Sequence, residues 1–131
     1  MKKIMLLLIL STLLISCNKK YHVVGRVLNP ITGEGFPNIK VEFIRGNLDG
    51  LAGGDEEAAS TLTDADGYYG LEFKGRAERV KISDDGTYYV LGTLKEGVYQ
   101  QALQLEAKKT MEVNWHVVSY GNYSLEVNNV N

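Results

Sequence analysis

Cysteine is almost missing from this chain, with Cys17 alone among 131 residues. No disulfide can form within it, so the fold must rest on core packing. Proline is scarce too, at 2 residues against 14 glycines, which excludes a proline-rich linker or a collagen-like array. No apolar run reaches the ~20 residues that a membrane-spanning helix needs. The only histidines are His22 and His116, and neither has a motif partner. A serine or cysteine nucleophile needs a base within hydrogen-bond reach, and no Gly-x-Ser-x-Gly elbow occurs. The sequence therefore offers no catalytic constellation, and an enzyme is not expected. Apart from Lys2 and Lys3, the adjacent basic pairs are Lys19 with Lys20 and Lys108 with Lys109. That scatter excludes the massed basic face with which proteins grip a nucleic-acid backbone.

What is present begins with a leader. Met1, Lys2 and Lys3 make a positive start, residues 4–14 are apolar apart from Ser11 and Thr12, and small Ser16 precedes Cys17. This is the three-part layout of an export signal. A buried amino-terminal helix would show a polar face, and this run has none. Leu14, Ile15, Ser16 and Cys17 resemble the lipobox of bacterial lipoprotein signal peptides. The resemblance implies that residues 1–16 are removed, that Cys17 carries a covalent lipid, and that residues 17–20 form a lipidated tether to a domain of residues 21–131. Roughly 115 residues make one ordinary domain, large enough to bury a core without staples. Lys2 and Lys3 leave with the leader, so the formal charge of −2 becomes more negative. Asn18 stands where an aspartate would resemble the enterobacterial inner-membrane retention signal, and no acidic run follows the cysteine. Delivery to the outer membrane is the expectation, on its periplasmic face, with the cell surface left open. Lys19 and Lys20 either lean on anionic lipid head groups, at ~1 kcal/mol per lysine, or form a solvated tether.

Beyond the tether, apolar and polar residues alternate with period two, which predicts strands throughout and no helix. Val23, Gly25 and Val27 share one face of a first strand; a glycine inside a strand suggests close approach of a neighbouring backbone. Residues 29–38 form a loop punctuated by Pro30, Gly33, Gly35 and Pro37. Ile39, Val41 and Phe43 make the apolar face of a second strand. Residues 46–58, from Gly46 to Ala58, are rich in glycine and acidic residues and read as a loop, either functional or mobile. Residues 60–63 and Tyr69, Leu71 and Phe73 predict a hairpin around an Asp and Gly turn. Val80 and Ile82 predict a second hairpin, with residues 87–91 as its return strand. Residues 98–105 predict one strand, and Met111, Val113, Trp115 and Val117 another, with the only tryptophan as a core anchor. Tyr123, Leu125 and Val127 predict the last. About eight short strands separated by turns make an all-β sandwich or barrel.

The first half of this pattern resembles a carboxypeptidase-regulatory-like, or transthyretin-like, domain. The likeness rests on Val23, Gly25 and Val27; on Thr32, Gly33, Pro37, Asn38, Ile39 and Val41; and on Thr63, Asp64, Asp66, Gly67, Tyr69 and Leu71. It implies a seven- to eight-stranded antiparallel sandwich, commonly an accessory or interaction module of exported bacterial proteins, and it implies no peptidase activity. The enzymatic hydroxyisourate-hydrolase branch carries a Tyr-Arg-Gly-Ser ending, whereas this chain ends Asn128, Asn129, Val130, Asn131.

Three groups of residues are candidate sites. Asp64 to Gly67 fails EF-hand spacing, because Leu62 and Phe73 would fall at ligand positions; a structural turn is expected, with Asp64 bonding backbone amides and Gly67 at positive φ. Asp49, Asp55, Glu56 and Glu57 could gather around a calcium ion or simply stand in water. Tyr68, Tyr69 and Tyr88, Tyr89 follow the two acidic turns, and one of each pair must face outward. Tyr68 and Tyr88, if exposed together, would suit a sugar ring or a protein partner; the alternative is cross-strand pairing. The sequence thus predicts a non-catalytic, lipid-anchored interaction module of the cell envelope with a protein partner. The alternative is a glycan- or peptide-binding module using the exposed tyrosines and residues 46–58.

Overall fold

A computed structural model describes residues 19–46 and 53–121. The leader with Cys17, Asp49, and the strand expected at Tyr123, Leu125 and Val127 lie outside the described residues. Within them the alternating segments form strands and no helix. The first, β1 (Lys20–Leu28), turns Tyr21, Val23 and Val27 into the core. There follow β2 (Lys40–Gly46), β3 (Asp55–Leu62), β4 (Tyr68–Lys74), β5 (Arg79–Ile82) and β6 (Tyr88–Lys95). The chain continues through β7 (Val98–Gln100), β8 (Leu103–Gln104), β9 (Thr110–Glu112) and β10 (Trp115–Ser119).

Two sheets pack as a sandwich. One has the order β4-β1-β10-β6-β7, with β9 also pairing β1; the other has the order β3-β2-β5-β8. Their inner faces supply one core, in which Trp115, Phe43, Val23, Val27, Val41, Val80 and Val117 are fully buried. Tyr21 from the first sheet meets Phe43 from the second edge to face, with ring centres 6.4 Å apart. The all-β expectation therefore holds, and so does the inward face of Met111, Val113, Trp115 and Val117. The close approach expected at Gly25 is also there. A Cβ on that residue would lie 1.8 Å from the Val113 carbonyl oxygen, closer than any side chain can sit.

Several local expectations give way to the sandwich. Neither predicted hairpin forms: β3 and β5 belong to the second sheet, and β4 and β6 to the first. The turn chemistry at residues 63–68 is as expected, with Asp64 Oδ1 accepting the amides of Asp66 and Tyr68 at 2.9 Å and Gly67 at φ +85°. What differs is the partner on either side. The Thr63 hydroxyl holds the second sheet, donating to the Phe36 carbonyl at 2.6 Å and accepting the Ile39 amide at 2.9 Å. Tyr68 and Tyr69 instead join Arg26 and Gly25 of β1. A turn of this kind closes an arch between sheets as well as a hairpin within one. Residues 98–105 likewise divide into β7 and β8 on opposite sheets. Residues 110–119 run along β1 as two strands, and both are parallel to it, so the pairing is not uniformly antiparallel.

The strand directions gather the connections at two ends. At the turn end, beyond Leu28, lie the loops of residues 29–38, 63–67 and 83–87; they contain Glu34, Asp64, Asp66, Asp84 and Asp85 and neither lysine nor arginine. At the entry end, where Lys19 leads into β1, lie residues 75–78 and 105–109.

Candidate functional site

The acidic group is broken up by strand formation. Asp55, Glu56 and Glu57 begin β3, an edge strand paired with β2, and successive side chains alternate between its faces. Each carboxylate meets a cation. Asp55 pairs with Arg79, Glu57 pairs with Lys40, and Glu56 takes a two-pronged bond from Arg45 at 2.8 and 3.1 Å. The Arg45 hydrogen bonds hold the Glu56 carboxyl below its ordinary range. Those from Lys40, then Ser60, do the same for Glu57. Among the described residues no three His, Cys, Asp or Glu side chains converge as a metal would require.

The tyrosine pairs divide between inside and outside, but not both as expected. Tyr68 is 53% exposed and lies under the Arg26 guanidinium, 4.9 Å from ring centre to Cζ. Arg26 is pinned there because its Nε donates to the Asp66 carbonyl at 2.8 Å. In the second pair the outward residue is Tyr89, at 54% exposure, while Tyr88 is buried at 5%. The register explains this correction. Val117 points into the core opposite Val90, so Val118 and its partner Tyr89 must face out. Tyr88 hydrogen-bonds the Ser83 carbonyl, and burial, followed by the charges of Asp85 and Asp84, pushes its hydroxyl up to about 12. Tyr68 lies at the turn end and Asp55 at the start of β3 near the entry end, so the tyrosines and the acidic loop do not form one site.

Tyr69 has a structural task that its sequence does not disclose. Its hydroxyl donates to the Val113 carbonyl at 2.7 Å and accepts the Trp115 indole N–H at 3.0 Å. Burial raises its ionisation well beyond the ordinary tyrosine range, against the opposing effect of the Trp115 bond.

Both histidines touch a hydroxyl. His22 Nδ1 lies 3.0 Å from Thr110 Oγ1. A base that activates a hydroxyl is itself oriented by a third group, and the nearest carboxylate across the ladder, Glu72, is taken by Lys20 at 2.6 Å. His116 Nδ1 lies 2.9 Å from the Tyr99 hydroxyl, and the two rings meet edge to face at 5.7 Å. This contact belongs to a surface the sequence did not single out. On the outer face of β10, β6 and β7, Tyr89 stands beside Val118, and exposed Leu94 stands opposite Tyr99. With His116 they form an aromatic and apolar strip open to solvent. The available signal was the place of Tyr99 in a short polar-flanked segment, which periodicity alone cannot assign to a face.

The same hairpin borders a cleft. β6 carries an extra residue at Leu91 where its pairing with β10 shifts, and beyond it the strand pairs with β7. Between that hairpin and β9 a cleft of about 680 Å³ opens, lined by residues that include Lys95, Gln100, Leu103, Met111 and Glu112.

No family model matches the chain, and no curated protein matches it.

Proposed function

We propose that the protein is a non-catalytic, lipid-anchored sandwich of the bacterial cell envelope that works by protein contact. The observation that carries the contact is the strip of exposed Tyr89, Leu94 and Tyr99, flanked by half-buried His116 and Val118, on one sheet face. Tyrosine is enriched at protein interfaces because it offers a large apolar body with a polar tip. Anchoring rests on the lipobox at Leu14, Ile15, Ser16 and Cys17, outer-membrane delivery on Asn18, and the periplasmic face on the lack of an acidic run after Cys17. The transthyretin-like reading draws support from the way its motif residues meet: the Thr63–Gly67 turn packs on residues 35–36, with the Val27 amide on the Gly67 carbonyl at 2.8 Å. Its seven or eight strands stand beside ten among the described residues, of which β8 has only two residues and β9 and β10 follow one another along β1.

A glycan-binding reading keeps one specific support, since exposed Tyr68, Tyr89 and Tyr99 present rings on which a sugar could stack. Tyr88, buried in the core, is out of a sugar's reach.

The test places a photo-crosslinking residue at Tyr89 in living cells. A discrete crosslinked protein should appear, and should fade when Leu94→Ser and Tyr99→Ser remove the neighbouring strip. An unchanged crosslink in that variant would overturn the contact surface. Palmitate label should follow Cys17; a Cys17→Ala chain still processed and lipidated would overturn the anchor.

A further inference from the structure

We infer that the entry end is a docking face for anionic phospholipid head groups. The inference rests on the proposed lipid at Cys17, which would bring this end against a bilayer; Asn18, Lys19 and Lys20 span at most ~11 Å. Five lysines that lie far apart in the sequence gather around the start of β1. Lys20 stands opposite Lys74 in the β1–β4 ladder. The Gly75 amide donates to the Lys19 carbonyl at 2.9 Å, and the Lys108 amide donates to the Lys20 carbonyl at 3.1 Å, bringing Lys109 alongside. Between them is an open recess of about 240 Å³, lined by Lys20, His22, Glu72, Lys108, Lys109 and Thr110.

Only part of this charge is matched locally. Lys20 pairs with Glu72 at 2.6 Å and Lys109 pairs with Glu106, while Lys19, Lys74 and Lys108 meet no carboxylate among the described residues. The turn end has the opposite character, since its three loops carry five carboxylates and no cation. The other carboxylates near the entry end, Asp55, Glu56 and Glu78, pair with Arg79, Arg45 and Arg76, so the lysines are left in excess there, and an anionic bilayer attracts that end and repels the turn-end loops. Lysine ammonium groups are mobile point charges, suited to a surface bearing many phosphates more than to one rigid ligand. The lysines also lie close enough to feel it, because the tether is no longer than about one Debye length of ~10 Å.

The test reconstitutes the purified full chain in vesicles of phosphatidylcholine alone, or with about one third phosphatidylglycerol, and reads amine labelling lysine by lysine. In the anionic vesicles, labelling of Lys74, Lys108 and Lys109 should fall about fivefold or more, and recover at ~1 M salt. Lys40 and Lys81, on the outer face of the second sheet, should not change. With Lys74→Gln, Lys108→Gln and Lys109→Gln combined, the difference in Lys19 and Lys20 labelling between the two vesicles should shrink, and an undiminished difference would overturn the shared face. Equal labelling of the unaltered chain in both would overturn the inference. Protection by inorganic phosphate in neutral vesicles would overturn it too, since the recess would then be a free-anion site. The mass of the amino-terminal peptide reports lipidation independently. A chain without lipid would overturn the anchor, and a salt-sensitive difference in lysine labelling between the two vesicles in that chain would still uphold the docking face.

Discussion

At the turn end, Val27 donates to the Gly67 carbonyl at 2.8 Å, Phe36 donates to the Val27 carbonyl at 2.9 Å, and Thr63 joins two further backbone groups. At the entry end the outer surface is tied by side chains standing in water, Arg45 with Glu56, Arg76 with Glu78, Lys20 with Glu72. The first kind of contact fixes geometry, because a buried backbone group left without its partner is costly. The second is screened by salt and opposed by side-chain entropy. The entry end has backbone bonds of its own, Leu105 to Glu78 at 2.8 Å and Gly75 to Lys19 at 2.9 Å, so the contrast is between the buried Thr63–Gly67 arch and the solvent-exposed ion pairs around the entry end.

The strongest challenge to that contrast is Gly67→Ala. Its Cβ would sit 2.3 Å from the Val27 carbonyl oxygen on a backbone at φ +85°, and the variant should lose about 3 kcal/mol in urea unfolding. A midpoint equal to the parent's would show that the turn end yields. Thr63→Val keeps the shape and removes both hydroxyl bonds, so the same measurement should show a loss of about 2 kcal/mol. Next in size is an alkaline effect. Tyr88 ionises at about 12 in the fold against 10.0 ordinarily. A group raised in this way contributes stability in full below pH 10.0, and that contribution fades as pH rises through about 12. Tyr88→Phe should flatten this limb of a stability–pH curve, although that of Tyr69 remains.

The smallest effect belongs to the entry end. Glu56, Glu72 and Glu106 are each held below the usual carboxylate value of 4.5 by hydrogen bonds from Arg45, Lys20 and Lys109. Their contribution is present above that value and lost as pH falls below it. Arg45→Gln should therefore move the unfolding midpoint less than either turn-end variant, and high salt should erase the difference. A loss matching that of Thr63→Val would abolish the contrast between the ends.

Strand faces were legible in the sequence wherever burial is one-sided. Val23 and Val27, Val41 and Phe43, and Trp115 and Val117 alternate because each strand shows one face to the core. Gly25 announced a close approach, and Asp64 with Gly67 announced a turn. What stayed hidden was which sheet a strand joins. Asp64, Ala65, Asp66, Gly67 encodes a change of direction, and the choice between arch and hairpin is made by Thr63 and Tyr69 bonding to residues remote in sequence. The start of β3 resembles a loop in sequence because Asp55, Glu56 and Glu57 show no apolar alternation; their cations come from β2 and β5. Tyr88 and Tyr89 could be separated only through the register with β10.

The chain enters its domain through β1, and β1 is an interior strand. Along one side it is bonded to β4 from Lys20 to Arg26, and along the other to β9 and then β10. Tension applied at Lys19 acts along the strand axis, so the bonds on both flanks are loaded together and must slip in concert. A strand at the border of a sheet, pulled sideways, would instead unzip one bond at a time. Mechanical load arriving from the amino-terminal side thus falls on the strand built to bear shear, and the rest of the sandwich is shielded until that strand gives way.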